Sequence, residues 1–236
     1  MGSPRASAQE SLSESQKRAA AVAAAALVGD GDRVGLGTGS TVAYLLPALA
    51  SRGLSLRCAA TSPATEHAAR ALGLQVEDLD ALGRLDIAID GADQIDPHGW
   101  LVKGGGGAHT REKIVAAAAV RFVVIASAEK VVGALRPPVP LEVLRFGAHT
   151  TLALLGEAML RDAPPSPEGN LIADYLGPVD DPRTLAARLS SAPGVLDHGL
   201  FAPELLSDIL IAGAGGVEHR TLNKKGDRTR EATRDE

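Results

Sequence analysis

The sequence is short of three things. It has one cysteine, Cys58, six aromatic side chains among 236 residues, and no basic excess: 24 Lys and Arg stand against 29 Asp and Glu, a net charge of −5. One cysteine excludes an internal disulfide and a cysteine-built zinc site. An acidic chain with few rings lacks both the positive field and the stacking faces of a nucleic-acid binder. The longest apolar run, residues 19–28, is ten residues long and mostly alanine. That is too short to span a bilayer. Following Lys17 and Arg18, it superficially resembles a signal peptide, but alanine favours an amphipathic helix. No nucleic-acid or membrane partner is expected, and the cytoplasm is the expected location.

What the chain does have is ordinary globular composition, 45% hydrophobic and 22% charged, with 26 glycines. Residues 1–12, rich in Ser and Ala, and the mixed-charge end at 221–236 are expected to be disordered tails. Between them, helix signals at 13–28, 41–50, 65–72 and 110–119 alternate with short strand signals at 33–36, 54–60, 75–77, 85–89 and 122–125. This alternation predicts an α/β fold, a Rossmann-like parallel sheet with crossover helices on both faces. Arg136-Pro137-Pro138-Val139-Pro140 reads as a stiff linker. Beyond it, a helix at 151–161, a strand at 171–174 and a helix at 182–190 suggest a second, smaller α+β (ferredoxin-like) domain. Residues 208–212 read as a buried strand that rejoins the first sheet. The expected domains are 13–133 with 207–220, and 134–206. The proline tract 163–167 reads as a surface loop.

Three segments carry chemistry. Gly35-Leu36-Gly37-Thr38-Gly39-Ser40-Thr41 is a strand, a glycine loop and a helix start, a geometry that binds phosphate. It is neither a dinucleotide fingerprint, with Ser40 where glycine is needed, nor a nucleotide P-loop. A tight turn without ligand is the alternative. Asp90-Gly91-Ala92-Asp93 ends an apolar strand where open parallel sheets bind ligands, although Asp after a strand also makes turns and caps. In Lys103-Gly104-Gly105-Gly106-Gly107, four glycines in a row are costly in chain entropy and suggest a backbone laid against a small polar ligand. Lys103 supplies a cation, and Glu112 follows in the first turn of the next helix, where the helix dipole alone would also favour an acid. His109 reads as a loop residue, and no His/Asp/Glu spacing makes a metal site. Together the segments imply a phosphorylated substrate with adjacent hydroxyls and carboxylate proton transfer, with no cofactor demanded: an isomerase.

These residues resemble the ribose-5-phosphate isomerase type A family, in order and spacing, over roughly residues 13–217. The matching stretches are Gly35 to Thr41, Asp90 to Asp93, Lys103 to Gly106, Thr110-Arg111-Glu112-Lys113, Gly194-Val195 and Gly199-Leu200-Phe201. The resemblance implies interconversion of ribose 5-phosphate and ribulose 5-phosphate through an enediolate, in the non-oxidative branch of the pentose phosphate pathway, without metal or cofactor. It implies Glu112 as the proton acceptor, assisted by Asp90 and Lys103. Substrate binding would fall to Thr38, Gly39, Ser40, Thr41, Asp90, Gly91, Ala92, Asp93, Lys103, Gly104, Gly105 and Gly106, with Lys130 and Lys17 as further basic side chains. A homodimer or dimer of dimers is implied as well. Three positions depart from the pattern: Gln94 where Glu is frequent, Ser127 where Asp is common, and Ser166-Pro167-Glu168-Gly169-Asn170 in a shortened loop. None removes a group the enediolate step needs. Rival readings are another sugar-phosphate enzyme of similar fold, such as an aminosugar-phosphate isomerase or a lactonase, whose base and histidine motifs are not found; a sugar-phosphate sensor, for whose DNA-binding module the N-terminus offers no room; and a silent homologue.

Overall fold

The computed structural model describes residues 4–222. The chain runs α1 (Pro4–Ala25), β1 (Arg33–Leu36), α2 (Val42–Ala50), β2 (Arg57–Ala60), α3 (Pro63–Ala71), β3 (Gln75–Val76), α4 (Leu79–Leu82) and β4 (Leu85–Gly91). A short pair, β5 (Gln94–Ile95) and β6 (Leu101–Val102), leads to α5 (His109–Ala118) and β7 (Ala119–Ser127). There follow β8 (Val139–Val143), α6 (Ala148–Leu155), β9 (Ala158–Leu160), β10 (Leu171–Tyr175), α7 (Pro182–Ser191), β11 (Val195–His198) and β12 (Leu200–Phe201). Strands β13 (Asp208–Gly213) and β14 (Gly216–Thr221) close the described chain.

Seven strands form the main sheet in the order β14-β13-β7-β4-β1-β2-β3, all parallel except β14. Side-chain alternation divides its two faces. Val34, Leu36, Ile87, Ile89, Val123 and Ile125 join the core under α1 and α2, while Ala88, Phe122, Val124 and Ala126 join the core under α5. The four-stranded antiparallel sheet has the order β11-β8-β10-β9 with β-α-β-β-α-β connectivity, and α6 and α7 contribute Leu152, Leu155, Leu185 and Leu189 to its core. As expected, the fold is α/β with a Rossmann-like sheet and a smaller α+β unit, and β13 returns beside β7. Among the described residues no helix is long and apolar enough to cross a membrane.

Four expectations need correcting. Helix α1 begins at Pro4, well before Ser13, because Ala, Gln and Glu in the first dozen residues favour a helix. Residues 1–3 and 223–236 lie outside the described residues, but Arg220 and Thr221, expected in or beside the charged tail, belong to edge strand β14, where polar side chains can face water. The proline tract is no linker at its end: Val139 and Pro140 are buried in β8, and Pro140 turns its carbonyl to the Gly199 amide at 2.7 Å. The 163–167 tract is not all surface, since Ser166 is buried on Glu142.

Gly35 of β1 sits where the main sheet meets α5. A Cβ there would lie 2.5 Å from Val115 Cγ1 and 2.8 Å from Ala88 Cβ. Gly35→Ala is therefore expected to cost about 1–3 kcal/mol through overpacking. Thermal unfolding followed by circular dichroism would show Tm several degrees lower, and an unchanged Tm would contradict this packing.

Candidate active site

In the main sheet, β1 leads outward through β2 to β3, whereas β4 lies on the other side of β1 and leads to β7. The chain therefore reverses direction between β1 and β4, and in such sheets the crevice beyond the strand ends at that point receives the ligand. Gly37 and Thr38 follow β1, Asp90 and Gly91 end β4, and Lys130 follows β7. A cavity of about 230 Å³ opens there. It is lined by the 38–41 loop, residues 91–93, residues 103–106, Glu112 and Lys130.

The loops converge by close backbone approach. Gly37 lies so near Asp90 that a side chain at 37 would overlap its carboxyl group. Asp90 Oδ1 accepts the Gly91 amide at 2.7 Å and the Thr38 amide at 3.2 Å, joining the first two glycine turns. Asp93 Oδ2 accepts the Gly105 amide at 2.9 Å, joining the second to the third. Gly39 and Gly104 have φ of +125° and +101°, in the region only glycine enters freely.

At the inner end, Lys103 Nζ lies 3.0 Å from Asp90 Oδ2, 3.1 Å from Glu112 Oε2 and 2.6 Å from the Gly91 carbonyl oxygen. All three side chains are at most 4% exposed. Burial opposes the Lys103 charge, but the two carboxylates outweigh it and hold its pKa above the usual value. Burial raises Asp90 as well, against the pull of Lys103 and two backbone amides. Glu112 is pushed up to about 8, first by burial and then by the Asp90 charge, with Lys103 only partly offsetting. Two carboxylates sharing one ammonium leave an excess negative charge, and Glu112 bears the consequence.

The structure thus brings Thr38, Gly39, Ser40, Thr41, Gly91, Ala92, Asp93, Lys103, Gly104, Gly105, Gly106, Glu112 and Lys130 into one wall, with Asp90 paired to Lys103 just behind it. Lys17, half-buried on α1, is not among the lining residues. His109 is not a loop residue: it opens α5, fully buried behind Gly104, and is held neutral with its pKa lowered to about 4 by burial and the charge of Lys113. Among the described residues no His/Cys/Asp/Glu cluster could hold a metal.

Sequence reasoning missed the support. Thr61 and Thr65 hold the Thr38 hydroxyl at 2.8 and 3.3 Å. Arg161 on the chain after β9 donates to the Gly104 and Gly105 carbonyls, both at 3.1 Å, while gripping Asp174. Gln94 pairs with Arg136 through both halves of its amide, accepting and donating at 2.8 Å, which a Glu could not do. The Ser127 hydroxyl donates to Glu129 at 3.2 Å.

A Rossmann-like sheet whose switch-point cavity joins a glycine-rich anion loop to a buried two-carboxylate, one-ammonium cluster defines an acid–base enzyme of small anionic substrates. Comparison with known proteins narrows this. The family model for ribose 5-phosphate isomerase A (phosphoriboisomerase A) matches residues 57–216. A ribose-5-phosphate isomerase A of Caulobacter vibrioides is 46% identical over 220 residues, covering 86% of this chain and 96% of the relative. Among solved structures, ribose 5-phosphate isomerase A from Methanocaldococcus jannaschii superposes with a TM-score of 0.83 at 33% identity, covering 89% of this chain and 99% of the other. A D-ribose-5-phosphate isomerase in complex with phospho-erythronic acid gives 0.84 at 32% identity, with the same coverage. The chain belongs to the ribose 5-phosphate isomerase A family.

The cluster's charge excess predicts a gain of stability on losing Glu112. Its folded pKa of about 8 exceeds the ordinary carboxylate value of 4.5, so folding favours the protonated form. The stability cost is absent below the ordinary value, grows as pH rises between the two and is complete above the folded pKa. Glu112→Gln should therefore raise Tm relative to the parent more at pH 9, where the cost is complete, than at pH 6, where under half of it has developed. Scanning calorimetry at both pH values tests this; equal differences at the two would mean Glu112 is ionised throughout.

Proposed function

We propose that the protein interconverts ribose 5-phosphate and ribulose 5-phosphate, with Glu112 as the base that moves a proton between C2 and C1. The carrying observation is the pairing of both Glu112 and Asp90 with Lys103 at the inner end of a cavity whose outer wall is the 38–41 loop. Family membership supports the reaction, and the phospho-erythronic acid bound by one relative supports the substrate class: a phosphate at one end and, at the other, a carboxylate whose two oxygens on one carbon stand in for the enediolate oxygens on two adjacent carbons.

In this reading the phosphate rests on Ser40, Thr41 and Lys130, with Lys17 of α1 as a further basic side chain toward it. Gly91 to Asp93 and Gly104 to Gly106 meet the hydroxyls. Glu112 as carboxylate removes the C2 proton of the open-chain aldose, the electron pair forms C1=C2, and negative charge moves to O1 beside the Lys103 ammonium. Such a preplaced charge stabilises the transition state more than the ground state. Asp90 serves ring opening and carries the proton from O2 to O1, and Glu112 returns its proton to C1 to give the ketose. A carboxylate pushed up to about 8 is a stronger base than an ordinary one, which eases proton transfer from carbon. The division into 13–133 with 207–220 and 134–206 is the domain boundary we favour. A homodimer or dimer of dimers in the cytoplasm, as the family resemblance implies, completes the reading.

Purified protein should convert ribose 5-phosphate to ribulose 5-phosphate in EDTA, measured by the absorbance of the ketose; turnover no faster than buffer alone would refute the assignment. Glu112→Gln should lose roughly 10²–10⁴ in kcat while still binding the sugar phosphate, the usual contribution of a general base. Full activity would move the base to Asp90 or Asp93. Because the carboxylate form is needed, kcat/KM should rise with pH through a limb near 8 in the free enzyme; a limb confined to the ordinary carboxylate range would deny Glu112 its raised basicity.

A further inference from the structure

Helix α5 presents Glu112 to the cavity on one flank and is gripped by the four-stranded sheet's unit on the other. At 3.6 residues per turn, Thr110 lies about 160° around the helix from Glu112, and Lys113 about 100° away. Thr110 Oγ1 donates to Glu142 Oε2 at 2.5 Å. Glu142, buried in β8, takes two more donors on Oε1, Ser166 Oγ at 2.5 Å and Asn170 Nδ2 at 2.9 Å. Lys113 Nζ reaches Asp197 Oδ1 at 2.5 Å and the His198 carbonyl oxygen at 2.6 Å, both on β11. Arg111 pairs with Glu168 of the loop before β10. Of these four successive residues, 110, 111 and 113 end on the smaller unit, and 112 alone ends on the main sheet's cluster. The helix start does not hold itself, for its N-cap is Ala108 and makes no side-chain cap.

We propose that Glu142, acting through Thr110, and Asp197, acting through Lys113, are positioning residues that fix the roll of α5 about its axis and so the depth at which Glu112 enters the cavity. The proposal rests on Glu112 being the base. A side-chain tip lies about 5–6 Å from a helix axis, so a roll of about 10° displaces it by about 1 Å. A misplacement of that size costs on the order of 10² in rate where reacting atoms must align. The phosphate is held elsewhere, by the 38–41 loop and Lys130, so the loss falls on kcat and spares KM.

The test compares Thr110→Val, which keeps the shape and removes the hydroxyl, with Thr110→Ser, which keeps the hydroxyl. In ribose 5-phosphate isomerisation, Thr110→Val is expected to lower kcat by about tenfold or more. KM should stay within about twofold of the parent, the pH limb of kcat/KM should shift, and Thr110→Ser should restore both. Should Thr110→Val fail to fold, Asp197→Asn, which acts through Lys113, is read in the same way. Parental kcat and pH profile in the valine variant, whatever its Tm, overturn the proposal and leave the isomerase reading standing. A loss that serine does not restore overturns it too. No turnover by the parent protein overturns the isomerase reading, and this proposal with it.

Discussion

The rest of the site depends on one ammonium group held between two carboxylates out of water. Lys103 finds three acceptors, Asp90, Glu112 and the Gly91 carbonyl. Removing any one of the three side chains changes the protonation of the other two, because a buried charge without its partner is expensive. The arrangement is also incomplete by one charge. That deficit makes Glu112 a better base than a solvated carboxylate, and it sets the stability of the cluster against its chemistry. The backbone is held as firmly as the side chain. The Lys103 amide donates to the Gly199 carbonyl at 2.8 Å, and any side chain at 199 would overlap the Lys103 carbonyl oxygen. Gly199 in turn donates to Pro140, so the position of Lys103 is referred to the smaller sheet as well as to its own.

Topology explains why loops more than fifty residues apart can share a cavity. Strands β1 and β4 are neighbours in register, Leu36 beside Ile89, so the residues following each emerge side by side. The turns must then pass within contact distance without side chains of their own. Within these turns, Gly37 against Asp90 and Gly104 against His109 leave no room for a Cβ. The cost of such glycines in chain entropy is offset by the hydrogen bonds that cross between turns through Asp90 and Asp93.

Much of this was legible in the sequence. Strand–helix alternation gave the parallel sheet because the apolar runs of β1, β4 and β7 are buried on both faces and bounded by glycines and small polar residues. The cavity wall was legible because glycine clusters are conspicuous and Asp90, Lys103 and Glu112 sit beside them. What stayed hidden was what two-residue strands and long-range side chains supply. Strands β5, β6 and β12 are set by pairing with one another rather than by any local pattern. Arg161, Thr61 and Thr65 reach the loops from 56, 23 and 27 residues away, with no motif to mark them. The last residues of β14, Arg220 and Thr221, read as tail because this edge strand is polar. His109 read as loop because it follows four glycines, yet the helix starts with it.

The two ends of the cavity make opposite electrostatic demands. A dianionic phosphate approaching a chain of charge −5 gains nothing from the overall field and must be caught by local groups. At the inner end, negative charge is what keeps the base strong before the proton moves and what the proton relieves afterwards. A single strongly positive pocket would bind the phosphate well and ruin the base. Separation is therefore required: Lys130 and the α2 end of the first glycine loop stand outside, and Lys103 is fully engaged by its two acids inside. In the proposed reaction, a sugar phosphate bridging the two ends would set its reacting carbons against Glu112 once its phosphate is seated at the outer end. Binding energy from the unreactive end is in this way converted to orientation at the reactive one.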